Sequence, residues 1–238
     1  MEKRMNEMQK ARYERQMKLD EVRWAGQERL MKSKVLIVGT GGLGSPVALY
    51  LAAAGVGTIG LIDSDVVEIS NLQRQIIHTV ADIGKPKVES AYEKIHAQNP
   101  DVEVRRYAVR LSEENVDDLL ADYDFMIEAS DNFATKYLVN DACVRLRKPL
   151  AIGSVFRYSG QLMTILPDTA QLRDLFPEQP DADEVDCSRF GLLATLPGIV
   201  GSMLATEALK YILGVGQLLT NQFFIIDTQY LLAEKFSA

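Results

Sequence analysis

Residues 34–63 read KVLIVGTGGLGSPVALYLAAAGVGTIGLID. Lys34–Val38 is a short apolar run that reads as a buried strand. GTGGLG follows it. Ser45-Pro46 then predicts a helix start, since Ser suits the N-cap and Pro the first helical position. The helix VALYLAAAG stops at Gly55, a residue type that readily takes the left-handed conformation past a helix end. Residues 58–63 form a second buried strand, ending in an acid, Asp63. A strand, a crossover helix and a second apolar strand make the unit from which parallel sheets are built.

The same alternation continues downstream. Helices are expected over 85–98, 112–122 and 133–147, and strands over 102–108, 124–130 and 150–155. Residues 156–166 alternate as an antiparallel strand does. A polar loop follows over 167–188, then a helix over 196–213 and a last strand over 222–227. Upstream, residues 1–31 read as a helical arm with charge on most faces. It buries little by itself and must pack on the body or on a second subunit. The expected fold is α/β: a Rossmann-like, mostly parallel sheet with helices on both faces, antiparallel C-terminal strands and an N-terminal helical arm. The chain reads as one domain over 1–238, with the arm at 1–33 and a crossover loop region at 167–195.

Bulk composition agrees. Of the 238 residues, 47% are hydrophobic and 25% charged, so a sizeable core is available. The formal charge of −7 disfavours a nucleic-acid partner, because phosphate binding needs a basic face. The two cysteines, Cys143 and Cys187, do not make a disulfide framework and suit a reducing compartment. The opening MEKRMNEMQK lacks the apolar core of a signal peptide. The apolar stretch at 192–205 contains Pro197 and reads as a buried helix, not a membrane span. A cytoplasmic protein without membrane contact is expected.

GTGGLG places Gly39, Gly41 and Gly44 at dinucleotide-loop spacing. The first allows a tight turn, the second lets phosphate approach backbone N–H groups, and the third permits close helix–strand packing. Asp63 follows Gly44 at about 20 residues, where a ribose-binding acid belongs. A purely structural turn is the alternative. The segment after Asp63 asks for more than a ribose site: NLQRQ carries Asn71, Arg74 and Gln75, and Lys87 stands in GKPK. Cations beside a phosphate-binding loop suit a triphosphate undergoing chemistry, where they would neutralise a leaving pyrophosphate. Asp131 and Asn132 end the strand at 124–130. There an acid points into the ligand crevice and would hold Mg²⁺ against phosphates. The competing reading makes Asp131 or Asn132 a helix N-cap. His78 and His96 are the only histidines. Neither makes a convincing acid–base group for hydride transfer, and His96 sits on a polar helix face. Cys143, in NDACVRL, reads as a core residue.

Taken together, the segment 34–75, then IGKPKVESA, ASDN and GIVGSMLATEALK, resemble the ThiF/MoeB/HesA family, bacterial relatives of ubiquitin-activating enzymes. RYERQ near the N-terminus matches the family's RYxRQ element. The resemblance spans about residues 12–230. It implies MgATP-dependent adenylation of the C-terminal carboxylate of a small ubiquitin-like sulfur carrier of the ThiS or MoaD kind, ending in Gly-Gly. Pyrophosphate is released, and the product feeds thiamin or molybdopterin sulfur transfer. It also implies roles. Asp63 would hold the ribose and Gly42 would lie against the nucleotide. Asn71, Arg74 and Lys87 would contact phosphates, with Gln75 supporting them, and Asp131 would hold Mg²⁺. Arg15 would reach the neighbouring subunit's ATP, which makes the protein a homodimer.

The chain also departs from the family. Many members bind structural zinc through two Cys-x-x-Cys pairs. Here AQLRDLF stands where the first pair belongs, and no cysteine follows Asp227. No zinc is expected, which leaves 167–188 to be held by packing alone or to stay mobile. Cys187 matches a family cysteine of the crossover loop that joins sulfur transfer or links to the carrier in some members. The acidic run DEVD before it raises its thiol pKa, and an inert loop cysteine is the alternative.

Three other readings remain open at this level. One is a related enzyme that adenylates a carboxylate on modified tRNA. Another is a nicotinamide-dependent oxidoreductase, and the last is a non-catalytic scaffold that keeps the nucleotide site.

Overall fold

Strand β1 (Lys34–Val38) sends alternate side chains to opposite faces, and both faces are covered. Val35 and Ile37 enter one buried cluster, while Leu36 and Val38 enter the other. That is why the run is apolar throughout instead of alternating. The computed structural model describes residues 5–180 and 190–238. Among these, eight strands form one sheet in the order β3-β2-β1-β4-β5-β6-β7-β8. Strands β2 (Thr58–Ile62), β3 (Glu103–Tyr107), β4 (Phe125–Glu128) and β5 (Leu150–Phe156) run parallel with β1. Strands β6 (Ser159–Ile165), β7 (Gln222–Asp227) and β8 (Leu232–Ser237) continue antiparallel from β5.

The helical arm expected over 1–31 consists of two helices, α1 (Glu7–Met17) and α2 (Arg23–Lys32). The break falls where Arg23 takes φ +46. Tyr13 anchors the arm: its hydroxyl accepts Asn99 Nδ2 at 2.8 Å and the ring is buried. On the same face lie α3 (Gly44–Ala54), α4 (Lys87–Gln98) and a long C-terminal helix, here called α8 (Leu196–Leu213). The opposite face carries α5 (Val116–Ala121), α6 (Phe133–Leu146) and α7 (Leu172–Leu175). Fully buried side chains such as Leu51, Ile95 and Phe125 each contribute roughly 1.5–3 kcal/mol of transfer free energy.

Several expectations need correcting. Helix α3 begins at Gly44, and Ser45 lies in its first turn. The Ser45 hydroxyl donates to Gly41 O at 2.6 Å instead of capping. Helix α5 is shorter than 112–122, because Asn115 Oδ1 accepts the Ser112 N–H at 2.9 Å and holds those residues in a turn. Strand β8 lies beyond 222–227, the strand that the sequence predicts as the last. Every residue in it is exposed, so it has no apolar alternation to read. Cys143 is a core residue, as expected, and burial pushes its thiol up to about 12. The apolar stretch at 192–205 runs into α8, and no described helix is long and apolar enough to cross a membrane.

The order β2-β1-β4 places the direction reversal of the sheet between β1 and β4. Open α/β sheets bind ligands in the crevice beyond the carboxyl ends of the strands at such a point.

Candidate active site

The loop leaving β1 turns at Gly39, whose φ of +94 favours glycine. A side chain there would press on the next strand's exit, since an added Cβ would stand 2.9 Å from Ala129 O. Gly44 is closer still. Its Cβ would lie 2.0 Å from Gly39 O, so only glycine lets α3 start against the turn. Thr40, between the glycines, is held at three atoms. Its N–H and hydroxyl donate to Asp63 Oδ2 at 2.8 and 3.0 Å, and its carbonyl accepts His78 Nε2 at 3.0 Å. Asp63 Oδ1 accepts the Asp65 N–H at 2.9 Å. The acid expected to read a ribose therefore also ties the glycine loop to the end of β2.

A cavity of about 530 Å³ opens at this point, within the range of small-molecule sites. Gly39, Gly41, Gly42 and Asp63 line one side of it. Arg74, Gln75 and Lys87 line another, and Asp131 and Asn132 face it from the end of β4. It continues between β5, β6 and α7, with apolar walls that include Ile152, Leu172 and Phe176.

Arg74 is half-buried, and its guanidinium donates to Ser70 O at 3.2 Å. Lys87 opens α4, is 9% exposed at its side chain, and pairs with Asp65 at 2.8 Å. Gln75 is buried, and its Oε1 has no partner. Gln75 as a residue lines the cavity, while that oxygen is itself buried. Asn132 caps α6, its Oδ1 accepting the Thr135 N–H at 2.9 Å. The cap is thus Asn132 and not Asp131, whose side chain is exposed at the cavity.

Three expected residues do not line the cavity. Asn71 is buried, and its Oδ1 accepts the Glu68 N–H at 3.0 Å, so it staples the turn that carries Arg74 instead of facing the cavity. Gly44 serves packing, as above. Arg15 is exposed on α1, away from its own chain's cavity. Cys187 lies outside the described residues.

Other residues of the site were not anticipated. Glu128 and Lys136 form a buried ion pair under the β4 exit. Lys136 Nζ also donates to Ser130 O at 2.8 Å and Gly153 O at 2.7 Å, and Glu128 accepts the Ser130 N–H and hydroxyl. Burial pushes the Glu128 carboxyl up, while the Lys136 ammonium pulls it down. The last acid of an apolar strand and a helix lysine were the available signals. His78 is the other such residue, and it closes NLQRQIIH in plain view.

Packing alone does not hold the start of the crossover loop. Asn140 Nδ2 donates to Gln171 Oε1 at 2.6 Å, and Asn140 Oδ1 accepts the Leu172 N–H at 3.1 Å. Arg173 forks onto Asp141 at 2.7 and 2.8 Å. The Tyr137 hydroxyl lies 2.9 Å from both Phe176 O and Glu178 O and shares its one hydrogen between them. Among the described residues no group of His, Cys, Asp and Glu could hold a metal ion by itself. Asp131 alone fits an ion that also takes oxygens from phosphate and water.

The ThiF family model matches residues 13–237. The chain is 45% identical over 223 residues to the sulfur carrier protein adenylyltransferase of Thermus thermophilus, covering 91% of this chain and 82% of that one. It is 45% identical over 223 residues to a probable adenylyltransferase/sulfurtransferase, MoeZ, of Mycobacterium tuberculosis, of which it spans 57%. Among solved structures, PaaA superposes with a TM-score of 0.83 at 25% identity, over all of this chain and 76% of that one. A nicotinamide oxidoreductase is set aside by these matches. Loop, cations and acid meet in one crevice, and the match runs through all of them: the chain belongs to the ThiF family.

Proposed function

We propose that this protein is an adenylyltransferase that activates the C-terminal glycine carboxylate of a small ubiquitin-like sulfur carrier with ATP. The observation that carries the reading is the meeting of Arg74, Lys87 and Asp131 with the glycine loop in one cavity. Two cations and an acid around a phosphate loop suit a nucleotide whose phosphates take part in the reaction.

In the reaction, a carboxylate oxygen of the carrier forms a bond to the α-phosphorus, and the bond from that phosphorus to the pyrophosphate oxygen breaks. The pyrophosphate takes the electron pair. Two anions must approach, so the chain's task is to offset their repulsion. Backbone N–H groups of the loop and the Arg74 and Lys87 cations stand ready for the charge that develops, and they cost no reorganisation at that moment. Asp63 orients the ribose, and Gln75 backs the phosphate side. Asp131 would hold Mg²⁺, whose charge would offset that of the phosphates. Arg15, exposed on the arm, serves the cavity of a second subunit in a homodimer. Thiamin and molybdopterin pathways both fit this carrier chemistry, and the location is cytoplasmic.

The test is ATP–pyrophosphate exchange with Gly-Gly-ending small proteins, beside versions lacking the last glycine. Exchange that requires the intact tail supports the reading. MgATP binding without exchange for any carrier sinks it. Arg74→Ala should lower exchange by about 10²–10³ with the fold intact.

A further inference from the structure

His78 is 5% exposed and makes two polar contacts through its ring. Nε2 lies 3.0 Å from Thr40 O, and Nδ1 lies 2.8 Å from Ser90 Oγ. A carbonyl only accepts, so Nε2 carries the hydrogen. In the neutral ring Nδ1 then accepts from the Ser90 hydroxyl. The backbone adds a third tie, because the His78 N–H donates to Gln75 O at 3.1 Å.

These ties reach three separate pieces of the site. Thr40 belongs to the glycine loop. Gln75 belongs to the turn that carries Arg74. Ser90 stands in the first turn of α4, three residues after Lys87. Backbone bonds tie the start of α4 to residues 65–67, but among the described residues none joins the glycine loop to the Arg74 turn or either of them to Ser90. A change of about 1 Å in relative placement costs on the order of 10² in rate where reacting groups must align.

We propose that His78 is a positioning residue for nucleotidyl transfer: its neutral imidazole sets the glycine loop against the Arg74 turn and the Lys87 helix. It touches no substrate. It acts through Thr40, whose other two polar atoms are already bound to Asp63. The inference rests on the adenylation reading for its kinetic part and on the nucleotide site alone for its binding part. The ring is suited to stay neutral. Burial lowers its pKa and Lys87 pushes the same way, with the Thr40 carbonyl, Asp82 and Asp63 opposing.

The test uses the full chain with His78→Leu, His78→Gln, His78→Asn and Ser90→Ala. Gln places an amide N–H where Nε2 stands and keeps the Thr40 link. Asn reaches only the Ser90 side. Carrier-dependent exchange is read as kcat and as KM for the carrier, and MgATP affinity is read by calorimetry. His78→Leu should lose roughly 10² in kcat and bind MgATP more weakly, with carrier KM unchanged. His78→Gln should recover most of the loss, and Ser90→Ala should be the mildest. A folded His78→Leu with kcat and MgATP affinity at wild-type levels overturns the proposal. So does a His78→Gln no better than His78→Asn, the comparison that decides if the leucine variant fails to fold. If wild type binds MgATP but exchanges with no carrier, the adenylation reading fails, and the affinity series still decides the role of His78. A wild type that binds no MgATP overturns both.

Discussion

Asn132 Oδ1 accepts the Thr135 N–H at 2.9 Å, and that bond releases the neighbouring Asp131 from any capping duty. The two adjacent residues should therefore fail differently. Asn132→Ala removes a helix cap and should cost about 1 kcal/mol of stability with modest loss of activity. Asp131→Asn should leave the denaturation midpoint unchanged and lower Mg²⁺-dependent exchange by about 10² or more. Urea unfolding and exchange assays on both variants separate the roles. Equal stability losses would refute the division.

Lys136 and Glu128 form an ion pair in which both side chains are buried. Removing one partner leaves an uncompensated buried charge. Lys136→Met should destabilise the fold by about 3–5 kcal/mol, and adding Glu128→Gln should recover part of that. A single variant as stable as wild type would show that the pair carries no such role.

Burial keeps the His78 imidazole below the usual histidine range. The unfolded chain takes up this proton near pH 6.5, and the folded chain only at lower pH. The unfolded state thus binds more protons in between, so stability falls as pH falls below about 6.5 and levels off at the folded pKa. Urea midpoints of wild type and His78→Gln, followed from about pH 7.5 to about pH 5.5, isolate this contribution. The two curves should converge toward low pH. Parallel curves would exclude it.

Arg15 is exposed on α1 and does not line its own cavity. In the proposed homodimer, an Arg15→Ala subunit keeps its own Arg74 and borrows an intact Arg15 from an Arg74→Ala partner. Mixing the two inactive variants after subunit exchange should restore exchange activity. No recovery in confirmed mixed dimers would rule out contribution across the interface.

Much was legible in the sequence because its causes are local. The run Lys34–Val38, the glycine spacing and Gly55 at φ +84 follow from strand hydrophobicity, backbone sterics and helix termination. The bounds of helix 196–213 were read correctly, as Pro197 opens it and Gly214 closes it. The shared cavity of Gly39, Asp63, Arg74 and Lys87 was anticipated from motif spacing. What only tertiary structure decided is where each polar side chain spends its hydrogen bonds. Asn71 turned back to its own turn, Lys87 met Asp65, and His78 joined three segments. Such pairings are set by the approach of elements far apart in the chain. Hydrophobic period and turn chemistry carry no record of that approach, because a polar residue has several partners within reach until packing leaves it one.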